Sequence, residues 1–164
     1  MSSKKVLFVR YFSFVAAFSI MLTIFIMSSQ NAEESSTTSR GFIRMIAPYL
    51  KKNFYLLSEE KQAAFVSSLQ YIVRKGAHFS IYTLLGAFIS CGFLTYKWMK
   101  PLSKTGISFI ICVLYSLSDE IHQHFVPGRS CELFDVFIDS SGAILGCLTV
   151  FLIYKFIKRK ACRI

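Results

Sequence analysis

Ser118-Asp-Glu-Ile-His-Gln-His-Phe-Val-Pro-Gly-Arg-Ser-Cys-Glu-Leu-Phe-Asp-Val-Phe-Ile-Asp139 decides how this chain reads. Five carboxylates, two imidazoles and a guanidinium stand here between two apolar runs, 107–117 and 136–154, that both have the composition of membrane spans. Charge at the centre of a membrane helix costs about 2.5 to 3.5 kcal/mol per residue on insertion scales, so a cluster of this density marks a site. Within it, Val126-Pro127-Gly128-Arg129 puts Pro and Gly at the two central positions of a type II turn. The connection is therefore short, and the runs on either side are antiparallel neighbours.

Outward from this stretch, 54% of the residues are hydrophobic and 16% aromatic, with mean hydropathy +0.50, which is too apolar for a soluble domain. The pattern predicts an all-α integral membrane bundle of four transmembrane helices forming one domain over 1–164, with spans at about 6–27, 72–96, 105–122 and 135–154. The apolar stretch 6–27 exceeds the ~7 to 15 residues of a signal-peptide core and reads as a retained first span, its Arg10 reaching back to the headgroups. Residues 28–71 read as an extracytoplasmic loop holding a short interfacial helical segment. Ser28 to Ser39 carries a Ser/Thr-rich loop signal; beyond it Phe42, Ile46, Tyr49 and Leu50 fall at helical spacing, and Pro48 limits that segment to a short or kinked piece. Ser58, Glu59 and Glu60 open a helix whose stripe of Phe65, Leu69, Ile72 and Val73 suits the interface, either as a plain connector or as an external cover over the site.

The net charge of +10 invites a nucleic-acid reading, but its distribution excludes one. Eleven bases and no acid fall before or inside the first span and after the second and fourth, from Lys4 to Arg163, whereas the other connections hold eight bases against nine acids. That asymmetry predicts both termini in the cytoplasm. Five cysteines show no C-x-x-C pairing and imply neither a disulfide framework nor a metal knuckle; only Cys131 is expected outside the membrane on the far face.

Residues three and four apart share a helix face. On the second span this groups Lys75, His78, Tyr82 and Gly86. The third groups Ser108, Cys112, Tyr115, Asp119 and His122, and the fourth groups Asp135, Asp139, Gly142 and Gly146. Gly142-x-x-x-Gly146 permits a close helix approach on the same face as the aspartates. The phases gather Lys75, His78, Asp119, His122, Asp135 and Asp139 at one end, with Arg129 above them. Glu120, about 100° around from Asp119, is expected to meet His124 or headgroups.

Three chemistries fit. The first is an interhelical clamp in which Lys75 and Arg129 neutralise the aspartates. In the second, His78, Asp119, His122, Asp135 and Asp139 supply ligands to a divalent metal, the one cofactor that the residues suggest. In the third, Lys75 and Arg129 hold a lipid phosphate or carboxylate while Tyr82, Glu120, Gln123, Asp135 and Asp139 line the site. His78, Asp119 and His122 are the candidate catalytic groups, and whether the protein is an enzyme stays open. Ser118 beside His122 is a nucleophile only in principle, since no elbow motif surrounds it.

Lys75-Gly-Ala-His78-Phe79 with Tyr82, then Asp119-Glu120-x-His122-Gln123 through Pro127-Gly128-Arg129, then Asp135-x-x-x-Asp139-x-x-Gly142, resembles the signature of VanZ-like proteins. Ser28-Ser29-Gln30 after the first span is similar to members of the same group, and Asp139 stands where the family often has Asn. The resemblance implies a bacterial cell-envelope protein with membrane lipids as neighbours and a lipid-bearing glycopeptide such as teicoplanin, or a cell-wall precursor, as ligand. It implies no settled reaction.

Overall fold

The computed structural model describes residues 3–161; Cys162 and Arg163 lie outside them. Five α-helices follow in order, α1 Ser3–Ser28, α2 Ala32–Leu50, α3 Glu59–Leu94, α4 Pro101–His124 and α5 Leu133–Ala161, with a single 3-10 turn at Phe54–Leu56. Among the described residues there is no strand. The helices α1, α3, α4 and α5 are long and apolar enough to cross a membrane, which makes this a multi-pass membrane protein. Only such helices satisfy every backbone group in hydrocarbon without outside partners.

Helix α3 is central and contacts each of the other four. Its packing against α5 is set by glycine. A Cβ on Gly142 would enter the carbonyl of Phe79, one on Gly146 the carbonyl of Thr83, and one on Gly86 the carbonyl of Ala143. The three glycines thus let two backbones touch, and Cys147 Sγ closes the crossing by donating to Gly86 O at 3.3 Å. Around this line Ala17, Ile24, Tyr82, Leu85, Ile89, Cys112 and Ala143 form the core. The outward faces keep Phe8, Phe12, Phe18, Phe137 and Phe156 exposed, as lipid-facing surfaces require.

Residues 28–39 depart from the expected loop, and the helical piece around Phe42 to Leu50 is the second half of one longer helix. Helix α2 begins at once, because Asn31 and Glu34 form a capping box: the Asn31 side chain accepts from Glu34 N–H, and the Glu34 side chain accepts from Asn31 N–H. The Ser/Thr residues do not break the helix, since their hydroxyls bond carbonyls within it, Thr38 to Glu34 O and Ser39 to Ser35 O, both at 3.0 Å. Pro48 falls in the last turn and shortens nothing. The expected interfacial helix and second span are likewise one rod. Its 36 residues reach about 54 Å at 1.5 Å per residue, against a hydrocarbon core of about 30 Å.

The surplus length pairs with α2. Ile43, Ala47, Phe54 and Val66 are buried together, with Leu57, Phe65, Leu69 and Val73 packed around them. The resulting helical hairpin stands over the α4–α5 turn, where Ala32 N–H donates to Pro127 O at 3.3 Å. That turn has the predicted form: Gly128 sits at φ +75°, and Arg129 N–H donates to Val126 O at 3.1 Å.

At the other end, Arg10 does not reach for headgroups. Its Nε donates to Thr95 Oγ1 at 3.0 Å and its guanidinium lies 3.8 Å over the Tyr96 ring, which ties α1 to the end of α3. Lys104 is buried and donates to Tyr96 O.

Candidate functional site

Three carboxylates are buried at the polar end: Asp119 at 4% exposure, Glu120 at 1% and Asp139 at 0%. Buried charge needs partners, and each carboxylate draws them from a different part of the chain. Asp119 Oδ2 accepts from Ser28 Oγ of α1 at 2.9 Å and from Gln123 Nε2 at 3.0 Å. Gln123 in turn accepts from Arg129 Nη1 at 2.9 Å, and Arg129 Nη2 donates to Met27 O at 3.2 Å. A ribbon Ser28–Asp119–Gln123–Arg129 thereby joins the end of α1, α4 and the turn. Burial, together with the Arg74 guanidinium nearby, draws the Arg129 pKa below its ordinary value, while Asp119 and Glu120 oppose the shift. Arginine remains a cation at any such shift.

Asp139 stands between two helices. Its Oδ2 accepts from Ser116 Oγ of α4 at 2.8 Å, and its Oδ1 faces His78 Nδ1 of α3 at 3.5 Å. One turn below His78, Tyr82 is fully buried, with a hydroxyl that has no hydrogen-bond partner and a ring 6.3 Å from that of Tyr115. Tyr115 itself donates to Met21 O at 2.6 Å and is a packing residue. One turn above His78, Lys75 is held by Asp135 and lies 3.5 Å from Glu132.

The phases thus bring Lys75, His78, Asp135 and Asp139 together across α3 and α5, with Asp119, Gln123 and Arg129 on the neighbouring ribbon. Two expectations are corrected. His122 does not join His78, because α1 packs on that side of α4. The His122 ring stacks on Phe25 at 4.7 Å, and its Nε2 lies 3.1 Å from Ser29 Oγ. Glu120 meets neither His124 nor headgroups; its Oε2 accepts the backbone N–H of Glu132 at 2.9 Å, which pins the segment entering α5. Ser118 is spent on its own helix, donating to Tyr115 O at 2.7 Å. With His122 turned away, the five expected metal ligands do not converge, and among the described residues no three His, Cys, Asp or Glu side chains are grouped to hold an ion.

Two cavities open on this network. A polar one of about 430 Å³ lies between α2, the upper part of α3 and the turn, with Arg74, Lys75, Arg129, Glu132 and Asp135 in its wall. A second, of about 610 Å³, is lined by Met27, Phe42, Val73, Gly76, Ala77 and His78, and it shares Arg74 and Arg129 with the first. The cation that sequence reasoning missed is Arg74. It is exposed, stands at the junction of both cavities and, among the described residues, is paired with no acid. Its position one residue before Lys75 was the available signal, but a single charge at the mouth of a span reads as an ordinary anchor.

Ser28 joins the site through Asp119, and the family-like Ser28-Ser29-Gln30 was its signal. Ser116 was missed, since nothing in the local sequence distinguishes a small hydroxyl on an inward face from a tolerated core serine.

No curated protein and no solved structure matches the chain significantly. A family model described as VanZ/LLP1 matches residues 12–156, a stretch that enters all four spans and contains every residue of the site. The chain belongs to the VanZ-like family.

Proposed function

We propose that the protein binds an anionic amphiphile at the polar end, its headgroup on Arg74, Lys75 and Arg129 and its apolar part in the adjoining cavity. The observation that carries this reading is the pair of cavities with Arg74 and Arg129 common to both. A phosphate or carboxylate at the junction would meet an uncommitted guanidinium in Arg74, and bidentate recognition of such groups is what guanidinium geometry favours. Lys75 is already neutralised by Asp135 and sets the rim. Family membership supports a place in the cell envelope and a link to glycopeptide resistance. The ligand class then includes an envelope lipid phosphate and a lipid-bearing glycopeptide such as teicoplanin, with glycopeptide tolerance or envelope lipid homeostasis as the outcome.

The full chain in nanodiscs, titrated calorimetrically with a long-chain alkyl phosphate and with teicoplanin, tests the reading. Arg74→Gln should weaken both by about tenfold, the equivalent of one charge-assisted contact. Equal affinity for the alkyl phosphate and its parent alcohol, or an unchanged Arg74→Gln variant, would overturn it. The charge asymmetry supports an orientation with the polar end at the outer leaflet of the cytoplasmic membrane and both termini in the cytoplasm. An impermeant maleimide on intact cells should then label Cys131 and spare Cys162; the reverse pattern would refute the topology.

A second reading, acid–base chemistry on the bound lipid or a cell-wall precursor, is favoured by one observation. His78 lines the apolar cavity with Nδ1 turned to Asp139, so Nε2 is the ring nitrogen left for a ligand. An aspartate in that position fixes the tautomer of a general base. Mass spectrometry of envelope lipids from overexpressing and deletion strains distinguishes the two. Catalysis requires a changed lipid inventory that His78→Ala restores, and binding alone requires an unchanged one.

A further inference from the structure

We infer that the opposite end of the bundle carries a separate site for the phosphodiester headgroup of an anionic phospholipid, in a groove between the start of α4 and the end of α5. The groove has a volume of about 760 Å³, and its basic residues are Lys100, Lys155, Lys158 and Arg159. No acid lines it. Lys155, Lys158 and Arg159 are spaced to share one face of α5, and Phe151, one turn earlier on that face, forms the apolar floor with Leu102 and Tyr154.

Among the described residues none of these four cations is within salt-bridge distance of a carboxylate, since the ion pairs all lie at the polar end. Lys155 instead leans over the Phe151 ring at 5.8 Å. Four converging positive charges without a counter-charge repel one another, and an anion in the groove relieves that repulsion. The apolar floor selects the source. A soluble anion gains nothing from Phe151 and exposed Leu102, whereas a phospholipid places its phosphate among the bases and its chains along those side chains. Placement is also selective. Lys160, on the same turn of α5, does not line the groove, and Lys97 opens onto another cavity.

Native mass spectrometry of the full chain provides the test, carried out in an Arg74→Gln background so that the polar end contributes less. Dioleoyl phosphatidylglycerol should be retained over dioleoyl phosphatidylcholine. Combining Lys155→Gln, Lys158→Gln and Arg159→Gln should reduce its retention roughly tenfold. The control pair Lys97→Gln and Lys160→Gln, which removes charge at the same end but outside the groove, should leave retention intact. Equal retention of the two lipids overturns the proposal, and so does a control pair that loses as much as the groove variant. Displacement of the lipid by millimolar inorganic phosphate would also overturn it, identifying a soluble anion as the occupant. If the triple variant does not insert, Lys158→Gln alone decides by the same comparison.

Discussion

At the polar end Asp119, Glu120 and Asp139 are almost wholly buried, and each takes a donor from another segment of the chain. At the basic end Lys155, Lys158 and Arg159 are exposed, and among the described residues they find no carboxylate to pair with. Buried polarity is directional: a carboxylate held by Ser28 and Gln123 fixes where α1 and α4 stand. Exposed charge of one sign is not directional, and it biases orientation and attracts counter-ions without specifying a geometry. The two ends should consequently respond to substitution in opposite ways, with structure failing at one and affinity at the other.

The sharpest break is Asp139→Ala. Removing one partner from a buried network costs about 3 kcal/mol, because Ser116 loses its acceptor and His78 loses the carboxylate that faces it, whereas Asp139→Asn keeps the shape and should cost less than half as much. Thermal unfolding in detergent, followed by helical circular dichroism, reads both variants; equal melting temperatures would show that the carboxylate is not part of the scaffold. Ser28→Ala comes next at about 1 to 2 kcal/mol, since it strips one of two donors from Asp119 and loosens α1 from α4. At the basic end the same measurement should find about 1 kcal/mol for Arg10→Gln, which loses the Thr95 bond and the stacking on Tyr96. The smallest effect belongs to Lys160→Gln, whose melting temperature should match that of the parent. A loss there as large as for Ser28→Ala would erase the distinction between the two ends.

The contrast also marks what the sequence made legible. Hydropathy located the four spans, because length and apolarity alone are what a bilayer demands. The coincidence of Gly142 and Gly146 with Asp135 and Asp139 on one phase marked the face of α5 that meets α3. The same phase reasoning failed for Glu120 because it treats α4 as having one inner side. At this depth α4 has two, with α1 against Asp119 and the chain entering α5 against Glu120.

His122 exposes the complementary weakness. Helical spacing places it on the same stripe as Asp119, yet only the position of α1 decides that its ring rests on Phe25. The start of helix α2 was legible as well. The Asn31-x-x-Glu34 spacing is a capping box, but composition averaged over Ser28 to Ser39 hid it, since serine and threonine satisfy themselves inside a helix as readily as in a loop.

The donors that hold α4 have a consequence for how the protein is made. Helix α4 has the lowest mean hydropathy of the four spans, 1.3 against 2.0 for α1 and α5. Its two buried carboxylates find their interhelical donors on Ser28, synthesised long before, and on Glu132, synthesised just after. Released into lipid alone, α4 would present both acids without those donors. Insertion of α4 should therefore be favoured by an α1 already in place and by the chain that leads into α5. A chain truncated after His124 should insert α4 less completely than the full chain in a glycosylation-reporter assay, as entry of α4 and α5 as one hairpin requires.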